Sequence, residues 1–244
     1  MARQPFAEDT PTAVALLADL SGISPYFAVG TGPCGDDWRP VAELYTDTAL
    51  LDGIISRVQA RMNTAEQRIA ASTFFLGFAA RLWSIGLGAL AGQQLLPDLA
   101  AQHLLFRETD GQIQLHIEHP VAWQGDDLKP RLADMVLTAH LEPLAAALRR
   151  LGPISEKLLR GNTASALLGA ARVFDRAATT GAGWQLAHSL CADERLSEAI
   201  RFGDFSDSGY RRTSCCLYYR VARGGLCGDC VFTSAPREPR TVTP

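Results

Sequence analysis

The sequence predicts a mainly helical α+β protein: a large helical domain with a small β-hairpin, followed by a cysteine-rich segment near the C-terminal end. Three observations carry this expectation. Apolar residues recur at helical spacing through most of the chain. Around Ile113, Leu115 and Ile117 the period changes to two, with Gln112, Gln114 and His116 interleaved. Four of the six cysteines, Cys215, Cys216, Cys227 and Cys230, then fall within sixteen residues in the pattern C-C-x10-C-x2-C.

The elements follow in order. Thr10 is placed to cap a first helix and Pro11 suits its first turn. Val14, Leu16, Leu17 and Leu20 supply its apolar face, and Ser21-Gly22 ends it. Residues 24–47 read as loop, because Gly30, Gly32, Pro33, Gly35 and Pro40 interrupt them. A second helix is expected over Thr48 to Met62. Thr64 with Gln67 fits a capping box opening a long apolar helix that fades between Gly92 and Pro97. Asp110-Gly111 supplies a tight hairpin turn after Leu104-Leu105-Phe106.

Helices resume at Leu128. Pro143 lacks an amide hydrogen, so the stretch to Arg150 is one kinked helix or two. Ser155 to Ala178 is the next helix, with Leu158, Leu159, Leu167 and Val173 as core candidates, and a short helix is expected over Asp193 to Arg201. Gly203 to Gly209 reads as a linker. The expected organisation is a helical domain at 1–205, a cluster-binding segment at 206–234 and a disordered tail at 235–244.

Bulk composition excludes some classes of function. Hydrophobic residues make up 47% and charged residues 20%, as in ordinary globular chains, and a formal charge of −3 gives no pull toward nucleic acid. The first ten residues lack the apolar run of a signal peptide, so a reducing, cytoplasmic setting is expected and the cysteines read as ligands or free thiols. Thr73 to Gly92 resembles a membrane span, but Arg81 in its middle would cost about 2.5–3.5 kcal/mol at mid-bilayer. A buried core helix is the expectation there.

Four thiolates repel one another unless a metal charge holds them. Cys227-x2-Cys230 is a common two-sulfur bite, and Gly224, Gly225 and Gly228 supply freedom for the turn. Cys215-Cys216 is unusual: neighbours on an extended strand point to opposite faces, so sharing one centre demands a bend. Structural zinc sites favour two separated pairs, which argues against zinc. Arg211, Arg212, Arg220 and Arg223 read either as a solvated basic rim or as compensation for a negative cluster or docking of an anionic partner. Tyr218 and Tyr219 read as a cover for the cluster or as an anchor to the main domain.

Arg212-x-Ser214-Cys215-Cys216-x-x-Tyr219, followed by Gly-x-x-Cys-x-x-Cys from Gly224 to Cys230, resembles the C-terminal signature of the FhuF-type ferric siderophore reductases. A looser similarity to aerobactin-type siderophore synthetases extends to Gly161-Asn162-Thr163-Ala164-Ser165. The resemblance implies a [2Fe–2S] cluster on Cys215, Cys216, Cys227 and Cys230, and cytoplasmic reduction of hydroxamate-type ferric siderophores that releases ferrous iron. The expected partners are the ferric siderophore and an external electron donor, a ferredoxin or reductase, since no dinucleotide fingerprint is present. Peripheral contact with the inner membrane or the siderophore importer is a further expectation, and nucleic acid is not expected. The rivals are a [2Fe–2S] electron carrier without a siderophore site and a structural Zn(Cys)4 interaction protein. A vicinal disulfide at Cys215-Cys216 would leave Cys227 and Cys230 unexplained.

The other polar residues are expected to be plainer. His116 and His119, flanking Glu118, read as an exposed sheet face, and His103 and His140 as core or surface residues. His188 and Cys191 read as a buried helix face. Cys34 is a loop thiol with no activating neighbour in sequence, and Asp36, Asp37 and Trp38 read as a turn. A cleft between helical domain and cysteine segment is expected to admit the chelate.

Overall fold

The structure is a computed structural model that describes residues 6–8, 10–204 and 209–236. It is mainly helical, with three small sheets. The helices are α1 (Thr10–Ser21), α2 (Glu43–Thr46), α3 (Thr48–Met62), α4 (Gln67–Gln93), α5 (Leu128–Val136), α6 (Glu142–Leu151), α7 (Glu156–Ala178) and α8 (Ala182–Leu190). The strands are β1 (Phe6–Glu8), β2 (Gly30–Thr31), β3 (Arg39–Pro40), β4 (Leu96–Pro97), β5 (Leu105–Thr109), β6 (Gln112–Ile117), β7 (Ala122–Gln124), β8 (Ile200–Phe202) and β9 (Tyr210–Arg212).

Helix α4 is the axis of the fold. It is apolar on nearly every side because it is covered on nearly every side: α7 runs along it, and α1, α3, α5 and α8 pack around it. It is the one helix among the described residues long and apolar enough to cross a membrane, yet 67% of its most apolar window is buried inside the fold. Arg81, the charge in its middle, donates from Nη1 to the Pro25 carbonyl at 2.7 Å and lies over the Tyr26 ring.

The hairpin forms as expected. β5 and β6 pair antiparallel, with Phe106 opposite Leu115 and Thr109 opposite Gln112. Asp110 and Gly111 both take positive φ, 52° and 74°, as a two-residue turn of matching twist requires. Its sheet continues in the order β2-β6-β5-β3, and a second sheet runs β1-β7-β4. The loop expected over 24–47 therefore contains β2, β3 and α2, elements too short to show a period.

Pro143 explains the break after α5. The chain widens into a π-helical turn, Leu137–Leu141, before α6, and Pro143 occupies the first turn of α6, where a missing amide costs nothing.

Several expectations are corrected. Thr64 and Gln67 form no capping box: Glu66 is the N-cap residue, Thr64 Oγ1 accepts from its amide, and Gln67 reaches Asp52 instead. Val14 and Val173 are exposed. The helix expected over 193–201 is a single 3-10 turn, Glu194–Leu196, leading into β8, and α8 precedes it as a further helix. The expected linker is flanked by paired strands: β8 pairs with β9, with Ile200 opposite Arg212. Residues 205–208 lie outside the described residues, as do 237–244 of the expected tail.

His116, His188 and Cys191 also differ from expectation, whereas His103 and His140 take surface and core positions as expected. His116 is buried rather than exposed, donating from Nε2 to the Gly32 carbonyl at 2.7 Å and packing against Trp38. His188 is exposed and packs on Phe202, while Cys191 is half-buried. His103 is exposed beside Asp98. His140 is a core residue between the Tyr45 hydroxyl and the Leu99 carbonyl, each at 2.5 Å.

Candidate metal centre

The cysteine segment begins where β9 leaves its hairpin. The Arg212 amide donates to the Asp229 carbonyl at 2.9 Å, and the Thr213 amide to the Ala199 carbonyl at 2.9 Å. The first joins the two ends of the segment to each other, and the second ties its start to the body. The bend that the adjacent cysteines demand lies immediately after them. Leu217 sits at φ 70°, and its amide turns back to donate to Cys215 Sγ at 3.3 Å. A 3-10 turn, Tyr218–Arg220, follows. The Gly224 amide then donates to the Val221 carbonyl at 2.7 Å, in a place where a Cβ would run into the Tyr218 carbonyl oxygen. Finally the Cys230 amide closes on the Cys227 carbonyl at 3.0 Å, forming the C-x2-C turn.

This path brings Cys215 and Cys227 each into contact with Cys216. Cys216 Sγ lies 3.5 Å from Cys227 Sγ, and the Cys215 side chain is hydrogen-bonded to Cys216. Cys216 and Cys230 are buried, and Cys215 and Cys227 are half-buried. Of these sulfurs, Cys216 is the one whose neighbours favour the charged form. Its pKa is lowered first by the Cys215 side chain and then by Cys227, with the Arg212 guanidinium assisting, and those two partner thiols are raised in turn. Among the described residues no three His, Cys, Asp or Glu side chains converge as a single-ion site requires. A [2Fe–2S] cluster spreads its four thiolates over two irons.

The surroundings of the sulfurs are cationic and ordered. Arg212, with a side chain only 1% exposed, donates from Nη2 to Cys227 Sγ at 2.5 Å and from Nη1 to Asn162 Oδ1 at 2.9 Å. Its Nε faces Asp229 Oδ2 at 3.2 Å, an ion pair without hydrogen-bond geometry. Burial alone would lower the Arg212 pKa, but Asp229 and the sulfurs of Cys216 and Cys227 outweigh it and raise the value. Asn162 is itself held by Ser72, its Nδ2 donating to the Ser72 carbonyl and hydroxyl, each at 3.0 Å. The Ser72 hydroxyl in turn donates to the Cys216 carbonyl at 2.7 Å. Ser165 Oγ donates to Asp229 Oδ2 at 2.5 Å. A buried polar seam thus joins α4, α7 and the cysteine segment. At its edge Ser214 Oγ donates to the Lys157 carbonyl, and Gly161 leaves the Ser214 side chain room.

The basic residues divide. Arg212 belongs to the seam. Arg220 forms an outer ion pair with Glu66 at 2.6 Å, and Glu66 also holds Arg68 at 2.7 Å. Arg68 first, then Arg220, lowers the Glu66 pKa. Arg223 is exposed, and Arg211 is half-buried. Tyr219 meets Phe232 edge-on at 5.8 Å, and Tyr218 is exposed.

Residues 212–232 match the family model described as FhuF 2Fe-2S C-terminal domain. The match spans the four cysteines and bears out the resemblance read from them. It gives the cofactor as a [2Fe–2S] cluster and the role as that of an iron–sulfur oxidoreductase. No curated protein matches the chain. The residues present suit such a group: four thiols on one short segment, with a buried guanidinium set against them.

The seam was only partly visible beforehand. Asn162 and Ser165 lie in the stretch that carried the looser similarity. Ser72, a polar residue on a buried helix, and Asp229, between two cysteines, are not singled out by the sequence. The other candidates lie elsewhere. Cys34 touches Glu118 on the hairpin side, and loss of solvation and that carboxylate push its thiol up. Burial pushes Cys191 up to about 12. Asp37 pairs with Arg107, whose guanidinium covers Trp38, so this is a packed turn. The nearest cavity described is not a cleft between the domain and the segment, since no residue of the segment lines it. A cavity of about 200 Å³, lined by Ile55, Glu66, Ala71, Leu151 and Ile154, borders the segment through Glu66, the partner of Arg220.

Proposed function

We propose that this protein reduces ferric iron held in hydroxamate-type siderophores and so releases ferrous iron in the cytoplasm. The observation that carries the reading is the matched C-terminal segment with its four cysteines set against buried Arg212. In this reading Cys215, Cys216, Cys227 and Cys230 are the cluster ligands. When bound, a [2Fe–2S] cluster supplies one electron per cycle, the change from ferric to ferrous iron.

The chain's own residues do the rest. The turn at Leu217 and the Cys227–Cys230 turn hold the thiolates on one short segment. Arg212 and its partners on α7 and α4 offset their charge and fix the segment to a rigid helical body. Hydroxamate oxygens are hard donors that hold ferric iron far more tightly than ferrous, so a single electron loosens the metal without any covalent step. The half-buried edge at Cys215 and Cys227 is the side open to a chelate. The electron donor in this reading is a separate ferredoxin or reductase, and the protein works at the inner face of the membrane beside the importer.

The test uses anaerobically purified protein. Its visible spectrum is recorded, the protein is reduced, and a ferric hydroxamate is added with a ferrous trap. A red-brown chromophore that the chelate reoxidises, with trapped ferrous iron, supports the proposal. A chromophore that stays reduced favours the electron carrier. A colourless protein holding zinc, and refractory to reconstitution with iron and sulfide, overturns the assignment.

A further inference from the structure

The geometry points to Arg212 and Asp229 as an opposed pair that sets the reduction potential of the cluster, with Asn162 as the positioning residue that keeps Arg212 aimed at the sulfurs. This deepens the reading above and rests on its cluster-ligand assignment, though not on its substrate.

Reduction adds one electron, delivered by a one-electron reductant, and breaks no bond. A site of four thiolates already carries excess negative charge, so the added electron is stabilised by nearby positive charge and by N–H groups aimed at sulfur. Arg212 supplies both, from a side chain removed from solvent, and its Nη2 reaches Cys227 Sγ directly. Little water screens that charge, so its effect on the electron is large. Asp229 faces the Nε of the same guanidinium and cancels part of its charge. The two therefore act with opposite sign: Arg212 favours the reduced state and Asp229 disfavours it.

The rest of the seam fits this assignment. A guanidinium needed only for packing could be held by any acceptors. Here it is held on one edge by Asn162, whose amide is anchored twice to Ser72, and Ser72 also ties down the backbone of Cys216. Asp229 is likewise restrained by Ser165. Donor and carboxylate are thus both fixed relative to the sulfurs by groups on α4 and α7. This lowers the reorganisation that charge transfer would otherwise require.

The test is a redox titration of the purified full-length protein, wild type against Arg212→Gln and Asp229→Asn, with the visible spectrum monitoring the cluster. Asn at 229 keeps an acceptor for Ser165. Arg212→Gln should disfavour reduction by tenfold or more, a downward shift of at least about 59 mV. Asp229→Asn should favour it by a similar factor, shifting the potential upward. Opposite shifts with intact cluster spectra support the proposal, and a purely structural role does not produce them. If Arg212→Gln fails to hold a cluster, the Asp229→Asn potential decides: an upward shift supports the assignment, and an unchanged or lowered value overturns it. Wild-type protein that binds a cluster but shows no shift in either variant refutes this inference alone. Wild-type protein that binds no cluster removes it together with the proposed function.

Discussion

Replacing Asn162 by Ala tests whether the cysteine segment is fastened to the helical body through the seam. Asn162 is fully buried, so water cannot replace what its amide gives up. The variant leaves an Arg212 N–H without its acceptor inside the protein, a loss of roughly 1.5–3 kcal/mol for a charged donor. It also deletes the two bonds to Ser72, at about 1 kcal/mol each. Ala is the better helix former, which returns up to about 0.7 kcal/mol. The balance is a destabilisation of about 3 kcal/mol, or a drop in Tm of roughly 6–12 °C for a chain of this size. The assay is thermal unfolding of metal-free protein, where no cluster contributes to stability. A decrease below 2 °C would refute the claim that the seam fastens the segment to the body.

Three further outcomes are expected. Changing Cys215, Cys216, Cys227 or Cys230 singly to Ser should remove most bound iron and sulfide, whereas changing Cys34 and Cys191 together should not; normal content in all four single variants sinks the ligand assignment. Gly224→Ala forces a Cβ onto the Tyr218 carbonyl, a backbone atom that cannot swing aside, so about 1–3 kcal/mol of strain should open the turn and lower cluster occupancy, measured as iron per chain. His140 is held neutral in the core, its pKa pushed by burial from 6.5 down to about 4 against the opposing pull of the Leu99 carbonyl and Asp98. The unfolded chain binds that proton first, so this contribution is complete above pH 6.5 and is lost as pH falls toward 4, by roughly 3 kcal/mol in all. Urea titrations across that range should show a decline that His140→Gln lacks, and parallel curves for the two proteins would contradict it.

Much of this architecture could be read before any coordinates. The helix over Thr48–Met62 and the turn at Asp110-Gly111 were legible because period and turn chemistry agree there. Short elements were not: β2, β3 and β8 hold two or three residues each, and pairing rather than periodicity makes them strands. The cysteines were legible as a group because of their spacing. The groups facing them were not, since Ser72 lies far from the cysteines in sequence and becomes their neighbour only because α4 and α7 lie side by side. Arg212 stood with three other arginines, and only tertiary burial separates the one inside from those at the rim.

The ion pairs that Arg220 and Arg212 make in the cysteine segment differ in what surrounds them. The Arg220–Glu66 pair keeps 31% of each side chain exposed, whereas the Arg212–Asp229 pair keeps 1% and 9%. Dissolved ions reach the first and hardly touch the second. Raising ionic strength therefore slackens the outer latch and leaves the inner one closed. Salt becomes a means of loosening the 3-10 turn beside the sulfurs while the charge set against them stays the same.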